Sequence, residues 1–245
     1  MIFDYTRYQT TKGKEPSAQE VEEFKNKFIA FWQEKLNWDF SYLDTFQYRG
    51  ILKLLASYNL AREKPEYKTD EGLFLAGCPG CGKTTLALAI SGVCHINYFT
   101  ACEIEDAIIK DNEVSVSKFY YGNGLIIDDL GSEANKKVYG NDPPLKNYLY
   151  RLYDDWKVKR IPLIICSNFT LNRSENWIAQ FYGLRVSSRF NEMTRQFVIG
   201  NGTDRRSTKT DSDFTQSGGF DSGNSPALPG IADYDFSSKK RLDQE

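Results

Sequence analysis

Eight consecutive residues of this 245-residue chain have the types and spacing of a phosphate-binding loop. The pattern G-x-x-x-x-G-K-[ST] is met by Gly77-Cys78-Pro79-Gly80-Cys81-Gly82-Lys83-Thr84. An apolar run at 73–76 predicts a strand before the loop, and residues 84–90 predict a helix after it. Glycines at positive φ let such a loop turn its N–H groups toward a phosphate, beside the helix N-terminus. The stretch therefore predicts a site for a nucleoside triphosphate.

Individual positions in the loop have predicted roles toward ATP and Mg²⁺. Lys83 is expected to reach the β- and γ-phosphates, and Thr84 to offer its hydroxyl to Mg²⁺. The predicted nucleotide-binding residues are Gly77, Cys78, Pro79, Gly80, Cys81, Gly82, Lys83, Thr84 and Thr85. Cys78 and Cys81 also have the CxxC spacing of a redox pair, and this alternative stays open.

Polar side chains follow two further apolar runs that predict strands. Asp128 and Asp129 follow the run at 125–127, the arrangement known as Walker B. An acid at the tip of a buried strand beside a phosphate loop can hold Mg²⁺, which is the role predicted for Asp128. The next acid, Asp129, is predicted to orient the attacking water. Asn168 follows the run at 161–166 and is predicted to hydrogen-bond the γ-phosphate or that water.

The composition limits the class of protein. A net charge of -2 means that any nucleic-acid binding must use a local basic surface. No apolar run approaches the roughly 18 residues of a membrane helix, and no N-terminal signal is visible, so we expect no membrane partner. Five scattered cysteines indicate a reducing compartment, and we expect a cytoplasmic protein.

Other segments flank these motifs. A capping box, Ser17 to Glu20, begins a predicted amphipathic helix at 18–36 whose aromatic stripe either packs on the chain's own core or docks a partner. A second helix is predicted at 47–61, and two short helical patterns at 102–121. Residues 201–245 have few apolar side chains, which predicts a disordered tail.

The ordered motifs resemble one family. GLFLAGCPGCGKTTLA, LIIDDLGSE, ICSN and LRVSSRF together resemble the AAA+ ATPases of the DnaC/IstB group, which are helicase loaders and transposition helper ATPases. The resemblance implies an α/β P-loop NTPase fold of AAA+ type, with a five-stranded parallel sheet flanked by helices and nucleotide at the carboxyl ends of the strands. The predicted domains are a partner-docking helical segment (1–44), the ATPase domain (45–200) and the tail (201–245), with no obvious helical lid.

The resemblance also assigns residues. It makes Asn168 the sensor of the γ-phosphate and Arg189 an arginine finger that acts across a subunit boundary, with a surface helix residue as the alternative for Arg189. Arg185 matches a second family arginine. The predicted catalytic residues are Lys83, Asp129, Asn168 and Arg189, and the predicted Mg²⁺ ligands are Thr84 and Asp128. Asp129 stands where many AAA+ proteins have a glutamate.

The function implied by the resemblance is ATP-dependent loading of a replicative DNA helicase. The protein would assemble as a homo-oligomer on single-stranded DNA and hydrolyse ATP at subunit interfaces, in a bacterium, phage or mobile element. The alternative is an IstB-type helper ATPase that assembles on duplex DNA and recruits a transposase. A small-molecule P-loop kinase is a third interpretation, which the Asp128-Asp129 pair and Ser167-Asn168 disfavour.

The short helical patterns at 102–121 stand where relatives insert an element that contacts single-stranded DNA. Basic and aromatic residues there are candidates for phosphate contacts and base stacking. They are Lys110, Lys118, Phe119, Tyr120 and Tyr121. Packing in the core is the alternative for Phe119 and Tyr120.

Overall fold

The structure is a computed structural model that describes residues 13–36, 46–111, 116–132, 144–171 and 178–200. The strands are β1 (Gly72–Ala76), β2 (Asn97–Thr100), β3 (Leu125–Leu130), β4 (Leu163–Ser167) and β5 (Thr194–Val198). The helices are α1 (Ala18–Leu36), α2 (Phe46–Leu60), α3 (Lys83–Cys94), α4 (Ala101–Asp111), α5 (Pro144–Lys159), α6 (Ala179–Tyr182) and α7 (Leu184–Met193). The predicted tail at 201–245 lies outside the described residues.

The strands form one parallel sheet in the order β2-β3-β4-β1-β5, which confirms the predicted fold. Every residue of the central strands β1 and β4 is buried, because helices cover both faces of the sheet. All carboxyl ends lie at the same edge. The phosphate loop after β1, the two acids in β3 and Asn168 after β4 are therefore brought to one side of the molecule.

Helix α1 begins with the predicted capping box. The Ser17 backbone N–H donates to Glu20 Oε2 at 2.8 Å, and the Glu20 N–H donates to Ser17 Oγ at 3.2 Å. The aromatic stripe of α1 packs into the chain's own core, where Phe28 and Trp32 are fully buried. The stripe is therefore not a surface for a partner. A docking role for this segment remains a prediction that now depends on the opposite, polar face of α1.

The region after α4 also packs inward. The Phe119 ring makes edge contacts with the rings of Phe99 and Tyr148, and the Tyr120 hydroxyl donates to the Ile161 carbonyl. Phe119 and Tyr120 are 4% and 0% exposed, so the hypothesis that they stack on DNA bases is wrong and core packing is correct. Lys118 and Tyr121 are exposed, and their contact with DNA remains a prediction.

Helix lengths and hydropathies bear on membrane insertion. Among the residues that the structure describes, no helix combines the length and the apolar character needed to cross a bilayer.

Candidate nucleotide site

The ends of three strands are held together by the buried serine that ends β4. The Gly77 N–H donates to the Ser167 carbonyl at 3.2 Å, which fixes the start of the phosphate loop to β4. Ser167 Oγ donates to the Leu130 carbonyl at 2.6 Å and accepts from the Phe169 N–H at 3.1 Å. Ser167 thereby positions the loop, the end of β3 and the segment that carries Asn168. The sequence signal for this role is a hydroxyl residue between an apolar strand and Asn168, and sequence reasoning gave it no role.

Lys83 and Asn168, which are 85 residues apart, meet at this edge. Lys83 Nζ donates to Asn168 Oδ1 at 2.8 Å and to the carbonyls of Gly77 and Cys78 at 2.9 Å each. These acceptors are uncharged, while Lys83 is only 7% exposed. A buried ammonium with neutral partners is costly, and an anion that approaches it is strongly favoured. The lysine is thus prepared to bind phosphate.

The loop glycines are needed for two different reasons. Gly82 has φ +99 and an added Cβ would meet nothing within 4 Å, so only its backbone conformation requires glycine. Gly77, unlike Gly80 and Gly82, does not have a positive φ. A Cβ at Gly77 would instead lie 2.4 Å from the Ile199 carbonyl oxygen, because the chain after β5 passes directly behind the loop.

Helix α3 begins inside the loop, so its free N–H groups face the site. Its first turn carries no acidic residue, which leaves the positive end of the helix dipole uncompensated. Thr84 is exposed and Thr85 is partly exposed in this first turn. Contact of these two residues with a nucleotide remains a prediction from the motif.

Asp128 is buried with one oxygen paired and the other open. Tyr98 Oη donates to Asp128 Oδ2 at 2.7 Å, whereas Oδ1 accepts no hydrogen bond from the described residues. Burial, followed by the negative charge of Asp128, raises the pKa of Tyr98, so its hydroxyl keeps its proton and stays a donor. An open, buried carboxylate oxygen fits a Mg²⁺ ion or a water bound to it. Sequence reasoning missed Tyr98, because a tyrosine in an edge strand has no distinguishing signal.

Asp129 adopts a backbone conformation that is rare outside glycine. Its φ is +54, and the β3–β4 register shifts between Ile127 and Leu130. The irregularity leaves Asp128 buried and Asp129 exposed, and the Ser132 N–H donates to the Asp129 carbonyl at 3.1 Å. Such outliers are frequent at functional sites, because the surrounding structure must maintain the strain.

Arg189 lies on α7 and contacts α5 rather than the residues around Lys83. Its Nη1 donates to the Tyr150 carbonyl at 3.0 Å, and its guanidinium lies 4.5 Å from the ring centroid of Tyr153. Arg185 stacks over the Tyr150 ring at 5.5 Å. Among the described residues, the contacts of Arg189 include neither Asp128 nor Asn168. The structure thus does not bring Arg189 into its own subunit's site, and its finger role remains a prediction.

Residues 73–178 match the family described as ATPase family associated with various cellular activities (AAA). The chain carries an AAA ATPase domain. The matched range contains the phosphate loop, both acids of β3 and Asn168, and it ends before Arg189. This AAA domain binds nucleotide and hydrolyses ATP. No curated protein matches the chain in sequence.

Solved structures of replication proteins are similar to this chain at low identity. A DnaC helicase loader is 23% identical with a TM-score of 0.45, covering 64% of this chain and 92% of that one. DnaI is 19% identical with a TM-score of 0.43, covering 66% and 87%. The replication initiator DnaA bound to AMPPCP and single-stranded DNA is 16% identical with a TM-score of 0.45, covering 63% and 47%.

Proposed function

We propose that this AAA ATPase loads a replicative DNA helicase onto single-stranded DNA. It would act as an ATP-dependent homo-oligomer in the cytoplasm of a bacterium, encoded by that bacterium, a phage or a mobile element. The order of the four sequence motifs supports this choice within the AAA group. The contact between Lys83 and Asn168 supports the ATP-dependent part of the proposal, because it joins the phosphate loop to the residue expected to sense the γ-phosphate.

In this proposal, different groups of the site have different roles in ATP hydrolysis. The loop N–H groups and the start of α3 bind the β-phosphate, and Lys83 binds the β- and γ-phosphates. Asn168, released from Lys83 by the incoming phosphate, turns its amide toward the γ-phosphate. Thr84 and Asp128 would hold Mg²⁺, which neutralises phosphate charge when bound. Asp129 orients the attacking water, and Arg189 of a neighbouring subunit stabilises the charge of the transition state.

DNA binding tests the loader assignment. Fluorescence anisotropy at stated salt would compare a labelled single strand with its duplex, each with and without a non-hydrolysable ATP analogue. We expect the single strand to be preferred, and only in the presence of the analogue. Lys83→Ala is the control and should lose the nucleotide dependence. Preference for the duplex would favour a transposition helper, and binding to neither would contradict a DNA-dependent function.

Helicase binding tests the docking role of α1. Removing the helix would expose the core that Phe28 and Trp32 fill, so surface changes are the sharper probe. Asn26→Arg with Gln33→Arg alters the exposed face of α1. We expect this variant to lose capture of the host's replicative helicase and to keep nucleotide binding. Val158→Arg, at an exposed position of α5, is the control, and retained capture by the α1 variant would contradict docking through this face.

A further inference from the structure

We propose that Cys78 and Cys81 form a reversible disulfide that weakens ATP binding, which makes the phosphate loop a peroxide-sensitive modification site. The inference rests on the nucleotide site described above and adds a means of regulating it. It depends on the geometry of residues 78–81, on the access of an oxidant to Cys78, and on the contact between Cys81 and Lys83.

Residues 78–81 form a tight turn that places the two cysteines close together. The Cys81 N–H donates to the Cys78 carbonyl at 3.4 Å, with Pro79 second in the turn and Gly80 third at φ +76. These are the features of a type II turn. The first and fourth Cα atoms of such a turn lie within about 7 Å, and disulfides span about 4.4–6.8 Å between Cα atoms. Both thiols are free in the structure.

The environments of the five cysteines make this pair the favoured target. Cys94 and Cys166 are buried, and burial raises the pKa of the Cys94 thiol to about 12 and that of the Cys166 thiol well above its usual range. Such thiols react poorly with oxidants. Cys102 is partly exposed, but its Sγ lies beside Ser132 Oγ at 3.5 Å. Cys78 is partly exposed and can meet the oxidant directly, whereas Cys81 is buried and needs to react only with the oxidised Cys78 across the turn.

Hydrogen peroxide supplies a balanced two-electron oxidation. The Cys78 thiolate attacks one peroxide oxygen, the O–O bond breaks, and the second oxygen leaves as hydroxide, which takes up a proton to become water. The resulting sulfenic acid is attacked by Cys81 sulfur, so that the S–S bond forms and the sulfenic oxygen leaves as a second water. Two thiols are oxidised, and one peroxide is reduced to two waters. A dithiol reductant reverses the change.

The disulfide would act on the residues that bind phosphate. Cys81 Sγ lies 3.7 Å from Lys83 Nζ, so a bond between this sulfur and Cys78 alters a direct contact of the phosphate-binding lysine. The bond also keeps the Cys81 N–H directed at the Cys78 carbonyl instead of at a phosphate. Loss of one hydrogen bond to a charged group weakens binding by about tenfold or more, and we expect the oxidised protein to bind ATP weaker by that factor.

The test compares nucleotide affinity before and after oxidation in the full chain. Wild type, Cys78→Ser and the control Cys102→Ser would each be measured with a fluorescent ATP analogue before and after peroxide, and again after dithiol treatment. Intact mass and peptide mapping would identify a 78–81 bridge. We expect wild type and Cys102→Ser to lose affinity by about tenfold or more and to regain it on reduction. Cys78→Ser, compared with its own untreated form, should not lose affinity reversibly.

The outcomes separate this inference from the nucleotide site itself. Reduced wild type that fails to bind the analogue would contradict the site, and the inference with it. Reduced wild type that binds, but forms no 78–81 bridge or binds equally well when bridged, would contradict the inference alone. Equal reversible loss in Cys78→Ser would also contradict it, because another residue would then carry the response.

Discussion

At the scale of single residues, the site places charged groups in buried positions before any ligand is bound. Lys83 has three neutral oxygen acceptors, and one oxygen of Asp128 has no hydrogen-bond donor among the described residues. An incoming phosphate would therefore replace a neutral acceptor of an ammonium that is already in place, and an incoming cation would find an open carboxylate oxygen. Preorganisation of this kind favours transition-state stabilisation, because its cost is met during folding.

Asp129→Asn should separate binding from hydrolysis. Asparagine tolerates the positive φ of this position and cannot accept the proton of the attacking water. We expect kcat to fall by about 10²–10⁴, with analogue affinity close to that of wild type. Steady-state ATPase assays and fluorescence titration measure the two effects. Lys83→Ala is the contrasting variant and should lose affinity. An Asp129→Asn protein with normal kcat would refute the role of Asp129.

Tyr98→Phe should weaken the response to Mg²⁺. The change removes the hydroxyl that holds Asp128 Oδ2 and keeps the ring. Loss of a group that orients a metal ligand lowers metal affinity by about 10–100-fold, so nucleotide binding should need correspondingly more Mg²⁺. Titration of Mg²⁺ against fluorescent-analogue binding measures this without turnover. Tyr121→Phe, at a tyrosine that is 51% exposed, is the control, and equal Mg²⁺ requirements would exclude the positioning role of Tyr98.

At the scale of elements, strand ends and helix ends do most of the positioning. Ser167 joins the ends of β1, β3 and β4. The capping box holds the start of α1 beside Tyr67, whose hydroxyl donates to Glu20 Oε1 at 2.7 Å. Helix α5 carries Tyr150 and Tyr153, the two tyrosines that contact Arg189. In each of these strands and helices, one end or one face makes a specific contact that positions a neighbouring residue.

The capping box predicts a specific dependence of stability on pH. Hydrogen bonds from the Ser17 N–H, the Tyr67 hydroxyl and the Ser17 hydroxyl lower the pKa of Glu20 from 4.5 to about 2. Because the folded pKa is depressed, the stabilisation is complete above pH 4.5 and is lost as the pH falls toward 2. Glu20→Gln should therefore melt below wild type at pH 7.

The difference in melting temperature between wild type and Glu20→Gln should shrink as the pH falls below 4.5. Thermal melts across the range from neutral pH to about pH 3 would follow it. Glu23→Gln, an exposed change on the same helix, is the control. A wild-type advantage over Glu20→Gln that stayed constant through this range would show that the charge of Glu20 is not what stabilises the helix end.

At the scale of the whole molecule, one chain gathers every predicted site residue except Arg189. The guanidinium packs on Tyr150 and Tyr153 of its own α5. These printed contacts hold Arg189 against α5, and its action on a nucleotide of an adjoining subunit remains a prediction. This arrangement agrees with the proposal that hydrolysis depends on assembly.

Arg189→Ala should remove the assembly-dependent rate gain, which is about 10³-fold or more for arginine fingers, and leave nucleotide affinity unchanged. Mixing gives the sharper result. Subunits with Asp129→Asn retain Arg189, and subunits with Arg189→Ala retain Asp129. A mixture should therefore regain ATPase activity that neither variant has alone. Asn191→Ala, at an exposed position of the same helix, is the matched control, and a mixture without recovery would exclude action in trans.

The residue pattern by itself determined the phosphate loop and the strand-end positions of Asp128, Asp129 and Asn168, whereas the parallel sheet was implied by the family resemblance. It could do so because glycine spacing and polar residues after apolar runs are local properties that constrain the backbone directly. The sequence did not decide whether the aromatic stripe of α1 packs on the chain's own core or docks a partner. An amphipathic helix has the same residue pattern in both cases.

Only the tertiary structure decided which residues meet. Tyr98 reaches Asp128 because β2 lies beside β3, and Ser167 joins three strand ends because β4 lies between β3 and β1. Position 77 must be glycine because a Cβ there would clash with the Ile199 carbonyl oxygen, and Arg189 contacts α5. These contacts join residues far apart in sequence. They depend on strand order, register and helix packing, which emerge only when the whole domain is assembled.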